Sequence, residues 1–85
     1  MSEYLLKYIV PPNGVLSVGI PDDISGIYAD GNLTVAWDYN GAVADLFSGQ
    51  IWEPPVRFSP RPTSALILKN GNSAPVSVAI RCAYD

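Results

Sequence analysis

The clearest alternation of hydrophobic and polar residues lies at the end of the chain, in Val76 to Tyr84. A period of two over this stretch places on one face Val76, Val78, Ile80, Cys82 and Tyr84. An apolar run from Ala65 to Lys69 precedes it, and the residues between the two segments are rich in turn formers. The pattern predicts two strands joined by a turn, with one face of the last strand in the core.

Shorter apolar segments with strand-like spacing fill the rest of the chain. The predicted strands are Tyr4 to Val10, Val15 to Ile20, Ile24 to Ala29, Leu33 to Tyr39 and the short piece Gln50 to Glu53. Asn-Gly or Asp-Gly pairs begin at residues 13, 30, 40 and 70, and such pairs favour tight hairpin turns. After Asn40-Gly41, the segment Ala42 to Phe47 suits either an antiparallel strand or one turn of helix.

This spacing of strands and turns predicts the fold class. About seven to eight short strands with a turn every eight to twelve residues are typical of an antiparallel sheet protein. We therefore predict an all-β fold, an antiparallel β-sandwich of jelly-roll or immunoglobulin-like type. The length of 85 residues indicates one domain, residues 1–85.

The composition predicts self-association. Charged residues make up 15% of the chain, against about 25% in an average soluble domain. A single cysteine and no histidine leave neither an internal disulfide nor a zinc site to stabilise so small a core. We expect a homo-oligomer, with a trimer as the favoured copy number; the alternative is a monomer that simply carries few charges.

The same composition argues against several other function classes. The net charge is −3 and the five basic residues are scattered, which argues against nucleic-acid binding. The absence of histidine removes the commonest general base, and Cys82 falls on an apolar strand face, as a buried structural thiol does. Most carboxylates stand beside turn residues, and no glycine-rich phosphate loop occurs. We predict a protein without enzymatic activity, metal or cofactor.

Membrane and export signals are also missing from the chain. No apolar run approaches the about 18 residues of a membrane span. Met1 to Pro12 lacks the basic start, apolar block and cleavage site of a signal peptide, so we expect synthesis in the cytoplasm without one.

The candidate site lies in the proline-rich segment after residue 50. Trp52 stands beside Glu53-Pro54-Pro55, and the residues predicted to bind a partner are Trp52, Arg57, Phe58 and Arg61. A tryptophan flanked by arginine and held by prolines is typical of a protein interface or of a platform on which a sugar stacks. The alternative is that Trp52 folds back as a lid on the core.

One stretch of the chain also resembles a known group of proteins. The segment Leu66 to Val78, with an apolar strand, an Asn-Gly turn, Ala-Pro and a Val-x-Val strand, is similar to closing hairpins of small phage proteins. These are β-sandwich or jelly-roll virion proteins of tailed bacteriophages, of the capsid decoration (cement) or head-fibre type. The resemblance implies a symmetric oligomer in the virion that stabilises a capsid shell by bridging its subunits.

Two functional hypotheses follow. The first is a non-enzymatic structural virion protein, a capsid decoration protein that oligomerises and binds a capsid or other assembly protein. The alternative is a carbohydrate-binding module or receptor-binding tip, with Trp52, Phe58 and a tyrosine as the stacking platform.

Overall fold

The computed structural model describes residues 1–60 and 65–85, and it is built from β-strands. The strands are β1 Ser2–Val10, β2 Val15–Val18, β3 Asp23–Tyr39, β4 Ala42–Trp52, β5 Ala65–Lys69 and β6 Val76–Tyr84. Every pair of neighbouring strands is antiparallel. Within these two ranges no helix is long and apolar enough to cross a membrane.

The sheet is organised around the long strand β3. Its one edge pairs with β4, in two stretches separated by an irregularity. Its other edge pairs first with β6, over residues 23–29, and then with β5, over residues 34–38. β1 extends the sheet beyond β6 and β2 extends it beyond β5, which gives the order β1-β6-β3-β5-β2.

The change of neighbour along β3 curls the sheet. β6 and β5 follow each other along one edge, so the pairs β1–β6 and β5–β2 form two arms that leave β3 at different points. The whole is a curled half-barrel, and the apolar residues on its concave side form the core. The buried core residues are Val10, Val18, Ile20, Ile24, Ile27, Leu33, Val35, Leu66, Leu68, Val76, Val78, Ile80 and Cys82. Removing one such side chain, as in Ile80→Ala, costs about 2–5 kcal/mol.

A buried asparagine joins the two arms at one end of the half-barrel. Asn70 is 3% exposed, and its side-chain amide donates to the carbonyl oxygens of Val10 at 3.2 Å, Pro11 at 3.1 Å and Ala74 at 2.8 Å. Its backbone N–H donates to the Gly14 carbonyl at 2.9 Å. Asn70 thus binds carbonyl groups at the end of β1 and in the β1–β2 and β5–β6 connections, so that its own buried amide is hydrogen-bonded.

Much of the predicted local structure is confirmed. The fold is all-β and antiparallel, and Val76, Val78, Ile80 and Cys82 lie on the buried face of β6. Tyr84 ends that alternation but is 48% exposed. The ambiguous segment after Asn40-Gly41 is a strand, and it forms a hairpin with the end of β3.

The hairpin predicted at Asp30-Gly31 is wrong, because β3 runs through these residues without turning. The Asp30 carboxylate accepts a hydrogen bond from the backbone N–H of Ser77 at 2.8 Å. A Cβ atom at Gly31 would lie 2.9 Å from Cγ2 of Val76. The glycine therefore permits close approach of β6 where β3 changes neighbour, and it does not serve a turn.

The predicted strand count differs for the same reason. Two predicted strands merge into β3, and the predicted segments on either side of Ser48-Gly49 merge into β4. The described residues form six strands in one sheet, so a sandwich of seven to eight strands is not confirmed.

Candidate interaction surfaces

Trp52 and Phe58 lie together in an aromatic cluster on the concave side. Trp52 stacks on Phe47 with ring centroids 5.7 Å apart and an interplanar angle of 4°. Phe58 sets its ring edge-to-face against Trp52 at 6.0 Å and against Trp37 at 5.0 Å. Trp52 and Phe58 are half-buried and pack against the core, which is the placement expected if Trp52 is a lid.

The backbone fixes Phe58 in this cluster. Ile24 and Phe58 exchange two backbone hydrogen bonds, of 2.7 and 2.9 Å, in an isolated bridge to the start of β3. Pro54 and Pro55 have no N–H to donate, so the chain leaves the sheet after Trp52 and returns to it at Phe58. The excursion leaves Val56 78% exposed at its tip.

Arg57 contacts the two ends of its own chain. Its guanidinium Nε lies 3.7 Å from the Asp23 carboxylate, and one Nη lies 3.5 Å from the Asp85 carboxylate. The other Nη approaches the Met1 sulfur at 3.5 Å. Arg61 lies outside the described residues. The structure therefore groups Trp52 with Phe58 and places Arg57 in a separate ionic cluster; the partner-binding role of these residues stays a prediction.

The convex side of the β1–β6 arm carries exposed apolar side chains that we did not single out from the sequence. Leu5 is 51% exposed and Ile9 67% on β1, and Ile51 is 65% exposed on β4. The strand registers align Lys7, Ala79, Tyr28 and Ile51 in one row across four strands. The signal was present, because Tyr4 to Val10 is apolar at both alternating sets of positions except for Lys7.

β1 is also an unpaired edge. Its one side pairs with β6 over all residues from Ser2 to Val10, and no described strand pairs with its other side. β2 and β4 likewise have one free edge in the described part of the chain. Free edges present unpaired N–H and C=O groups to which another strand can add.

An arginine network holds the convex side in place. Arg81 donates from Nε to the Ser25 hydroxyl at 2.8 Å and lies 3.6 Å from the Glu3 carboxylate. Its guanidinium carbon stands 5.3 Å from the centre of the Tyr28 ring. The Tyr28 hydroxyl donates to Glu53 at 2.7 Å, and burial together with this hydrogen bond raises the pKa of Tyr28. These contacts tie β1, β3 and β6 to the end of β4 through side chains as well as backbone.

A cavity of about 900 Å³ opens beside the core, lined by residues of β1, β2, β3 and β6. Tyr8 pairs with Val78, which pairs with Ala29, so three inward side chains stand in one row; Leu16 of the other arm also lines the cavity. Burial raises the pKa of Tyr8. The lining is mostly apolar, with Lys7 and Asp30 as its charged residues.

A second, polar depression of about 460 Å³ lies where β3 changes neighbour. Thr34 pairs with Lys69 on one side and Ser48 on the other, and the two hydroxyl oxygens are 3.0 Å apart. Asn32 and Asn72 complete the polar lining, and the Asn72 amide donates to the Asn32 carbonyl at 2.8 Å. Amides, hydroxyls and an ammonium group in one depression suit a ligand rich in hydroxyl groups.

Three side chains with ionisable groups lie near one another: Tyr4 pairs with Cys82 across β1 and β6, and its hydroxyl reaches Asp22. No three His, Cys, Asp or Glu residues in the two described ranges lie where they could hold a metal ion. Cys82 is fully buried, as predicted, and burial raises the pKa of its thiol, which lowers its reactivity. The Tyr4 hydroxyl donates to Asp22 at 2.5 Å, and this hydrogen bond raises the pKa of Tyr4.

Comparisons with known proteins add no further assignment. The chain matches no protein-family model, and searches of the curated proteins and of the solved structures found no match to it. Its own surfaces are therefore the evidence for its function.

Proposed function

We propose that the chain is a non-enzymatic structural protein that self-associates and binds the surface of a larger protein assembly. A capsid shell is the favoured assembly, with the chain as a decoration protein of the virion. One observation carries the proposal: among the described residues no strand pairs with the outer edge of β1, which carries the exposed apolar side chains Leu5 and Ile9.

An uncovered apolar edge of this length is costly for a protein that remains a monomer. Natural sheet proteins protect edges with short strands, prolines, bulges or charges, because a free edge recruits other strands. β1 spans Ser2–Val10, has no proline within it and carries two charged residues, Glu3 and Lys7. A binding partner that covers this edge turns the same feature into an interface.

The low charge content supports the same proposal. Charged residues are 15% of the chain, so few are available to keep an 85-residue surface soluble. Apolar side chains on the exposed surface include Leu5, Ile9, Val15, Val43, Ile51 and Val56. Leu5 and Ile9 share one face of β1, and contiguous apolar patches on a surface mark sites of interaction with other protein.

The sheet can be extended at its free edges. One chain supplies six strands in the part described, and its open half-barrel has free edges at β1, β2 and β4. An antiparallel β-sandwich of seven to eight strands stays our proposal for the domain of residues 1–85. In the assembly, a strand of a neighbouring chain adds to a free edge.

The shell-binding surface proposed is the excursion between Trp52 and Phe58, with Arg57 and Arg61. Val56 stands at the tip of this excursion with 78% exposure and makes it possible to test attachment without disturbing the half-buried rings.

The test measures mass and attachment separately. Light scattering on the purified chain gives the copy number, which we expect to exceed one at micromolar concentration. Co-sedimentation with capsid shells that lack the protein gives attachment. We expect Val56→Asp to lose attachment, to keep the copy number of the natural chain and to melt like it. A monomer that does not sediment with shells would overturn the proposal.

Carbohydrate binding, as a module or receptor-binding tip, is the second candidate, and the polar depression favours it. Thr34, Ser48 and Lys69 offer hydroxyl and ammonium groups there. Trp52 is a weaker support than the sequence suggested, because its ring already packs on Phe47 and Phe58. Binding of immobilised oligosaccharides that Thr34→Val abolishes and Val56→Asp leaves unchanged would favour this candidate over the first.

A further inference from the structure

We infer that β1 pairs with β1 of a second copy of this chain, antiparallel, about a two-fold axis that passes beside Leu5. The inference rests on the proposed self-association and names the contact that produces it. Two identical strands can form such a pair because an isologous interface places the same residues on both sides of the axis.

The free edge of β1 is available for this pairing over its whole length. β6 occupies one side from Ser2 to Val10, and none of the residues 1–60 and 65–85 forms a strand on the other side. The side chains alternate along the strand: Glu3, Leu5, Lys7 and Ile9 are on the exposed convex side. Tyr4, Leu6 and Tyr8 are half-buried on the concave side.

The alternation restricts the registers that two copies can adopt. Convex residues must oppose convex residues, since a shift by one residue would place the concave side of one strand on the convex side of the other. The two-fold axis must therefore lie at a residue and not between two residues. Leu5, Leu6 and Lys7 are the central positions that keep most of the strand paired.

Charge selects among these three centres. A centre at Leu5 places Glu3 opposite Lys7 of the second copy, twice by symmetry, and Leu5 opposite its own copy. A centre at Leu6 places Lys7 opposite Leu5, and a centre at Lys7 places two ammonium groups opposite each other. Opposite charges across antiparallel strands are favourable and like charges are unfavourable, so the Leu5 centre is preferred.

The apolar residues fit the same register. On the concave side, Tyr4 falls opposite Leu6 of the second copy, so the apolar stripe of β1 continues across the axis. On the convex side, Ile9 falls opposite Met1; these side chains are 67% and 80% exposed in the single chain. Lys7, the charge that would otherwise protect the edge, gains a partner in Glu3 of the second copy.

Because the proposed contact is two-fold symmetric, the number of copies in the assembly tests it. A two-fold contact of β1 produces a dimer, or an even-numbered assembly of dimers, whereas the composition led us to predict a trimer. The copy number thus separates the β1 contact from self-association through another surface.

Charge reversal tests the register. Lys7→Glu alone places two Glu–Glu pairs across the axis, and Glu3→Lys alone places two Lys–Lys pairs there. We expect each variant to weaken the dimer by about tenfold or more. Because Glu3→Lys also removes the contact of Glu3 with Arg81, thermal unfolding of each variant checks that the chain still folds. An equimolar mixture of the two variants restores both pairs with opposite charges, so it should form heterodimers with the affinity of the natural chain. Lys69→Glu, on β5, changes the net charge by the same amount as Lys7→Glu and should leave the dimer intact.

Sedimentation velocity distinguishes the outcomes. An even-numbered natural assembly with rescue in the mixture supports the inference. A trimer, or a dimer that both reversals leave unchanged, overturns the β1 contact and leaves the proposed self-association standing. A natural chain that stays monomeric overturns both.

Cross-linking tests the axis independently of charge. In this register Leu5→Cys faces its own copy and should form an intermolecular disulfide under mild oxidation. Ile9→Cys should not, because the two Ile9 positions lie about 27 Å apart along the paired strands. The natural Cys82 is fully buried and provides the background. Cross-linking of Ile9→Cys without cross-linking of Leu5→Cys would overturn the register.

Discussion

The tip of the β3–β4 hairpin and the junction between β5 and β6 both begin with the dipeptide Asn-Gly, but the two asparagines act differently. At the tip, Asn40 and Gly41 have φ angles of +52° and +87°. Both residues are exposed, and the Gly41 N–H donates to the Asp38 carboxylate at 2.9 Å. Here the dipeptide supplies a backbone conformation that most residues adopt only with strain.

At the junction, Asn70 supplies hydrogen bonds. Neither Asn70 nor Gly71 is among the residues with positive φ. The Asn70 side-chain oxygen accepts from the backbone N–H of Asn72 at 2.8 Å, while its amide donates to three carbonyl groups. One turn signal in a sequence therefore covers two physical roles, which substitution can separate.

The largest effect is expected from Asn70→Ala. The substitution leaves the carbonyl groups of Val10, Pro11 and Ala74 without this donor at a buried site. A loss of about 3 kcal/mol in the free energy of unfolding should follow. Asn40→Ala, the matched change at the tip, should cost about 1 kcal/mol, since alanine tolerates the left-handed backbone less well. Urea unfolding of both variants measures the difference, and equal losses would contradict the different roles assigned to Asn40 and Asn70.

An intermediate effect is expected at the glycines. Gly41→Ala should cost about 1–2 kcal/mol, because φ at this position is +87°. Gly71→Ala should change the free energy of unfolding by less than about 0.5 kcal/mol, as a Cβ at Gly71 meets nothing within 4 Å. Thermal unfolding of the pair checks this, and a larger loss at Gly71 would show that the junction also depends on backbone freedom.

The smallest effect is expected from Asn40→Gly. Glycine reaches positive φ without strain, so the hairpin tip should lose no more than about 0.5 kcal/mol. The same substitution at Asn70 removes every side-chain hydrogen bond and should cost as much as Asn70→Ala. If glycine were tolerated equally at both positions, the bonding role assigned to Asn70 would be wrong.

Local pattern was sufficient for individual strands and for their buried faces. β5 matches its predicted segment Ala65 to Lys69, and the alternation from Val76 correctly assigned Cys82 to the core. These features depend on residues close in sequence, because the period of a strand is decided within a few positions.

The arrangement of the strands depends on distant residues and was not predicted. Asp30-Gly31 carries the same local signal as Asn40-Gly41, yet the approach of Val76 and the hydrogen bond from Ser77 keep it inside β3. The buried position of Asn70 also depends on Val10 and Pro11, which are 60 and 59 residues away. The residues next to Asp30 and Asn70 in the sequence give no indication of these contacts.

The placement of the candidate residues Trp52 and Phe58 was predicted only in part, and their partner-binding role stays a prediction. The sequence directed attention to Trp52 and Phe58, whose proline-flanked segment does leave the sheet between them. The sequence did not show that these two rings pack against each other on the concave side. The exposed residues Leu5 and Ile9 were visible as a strand with two apolar faces, but assigning the outward face required the pairing with β6.

The pairing of β1 with β6 has a consequence for the order of folding. Ser2 pairs with Tyr84 and Val10 with Val76, so the first strand finds all its backbone partners in the last. During synthesis, β1 therefore cannot pair until residues 76–84 have left the ribosome. Contacts so distant in sequence also slow folding, since the long loop must close before they stabilise anything. The two chain ends lie side by side, so joining them and opening the chain at Asn40-Gly41 would shorten that delay.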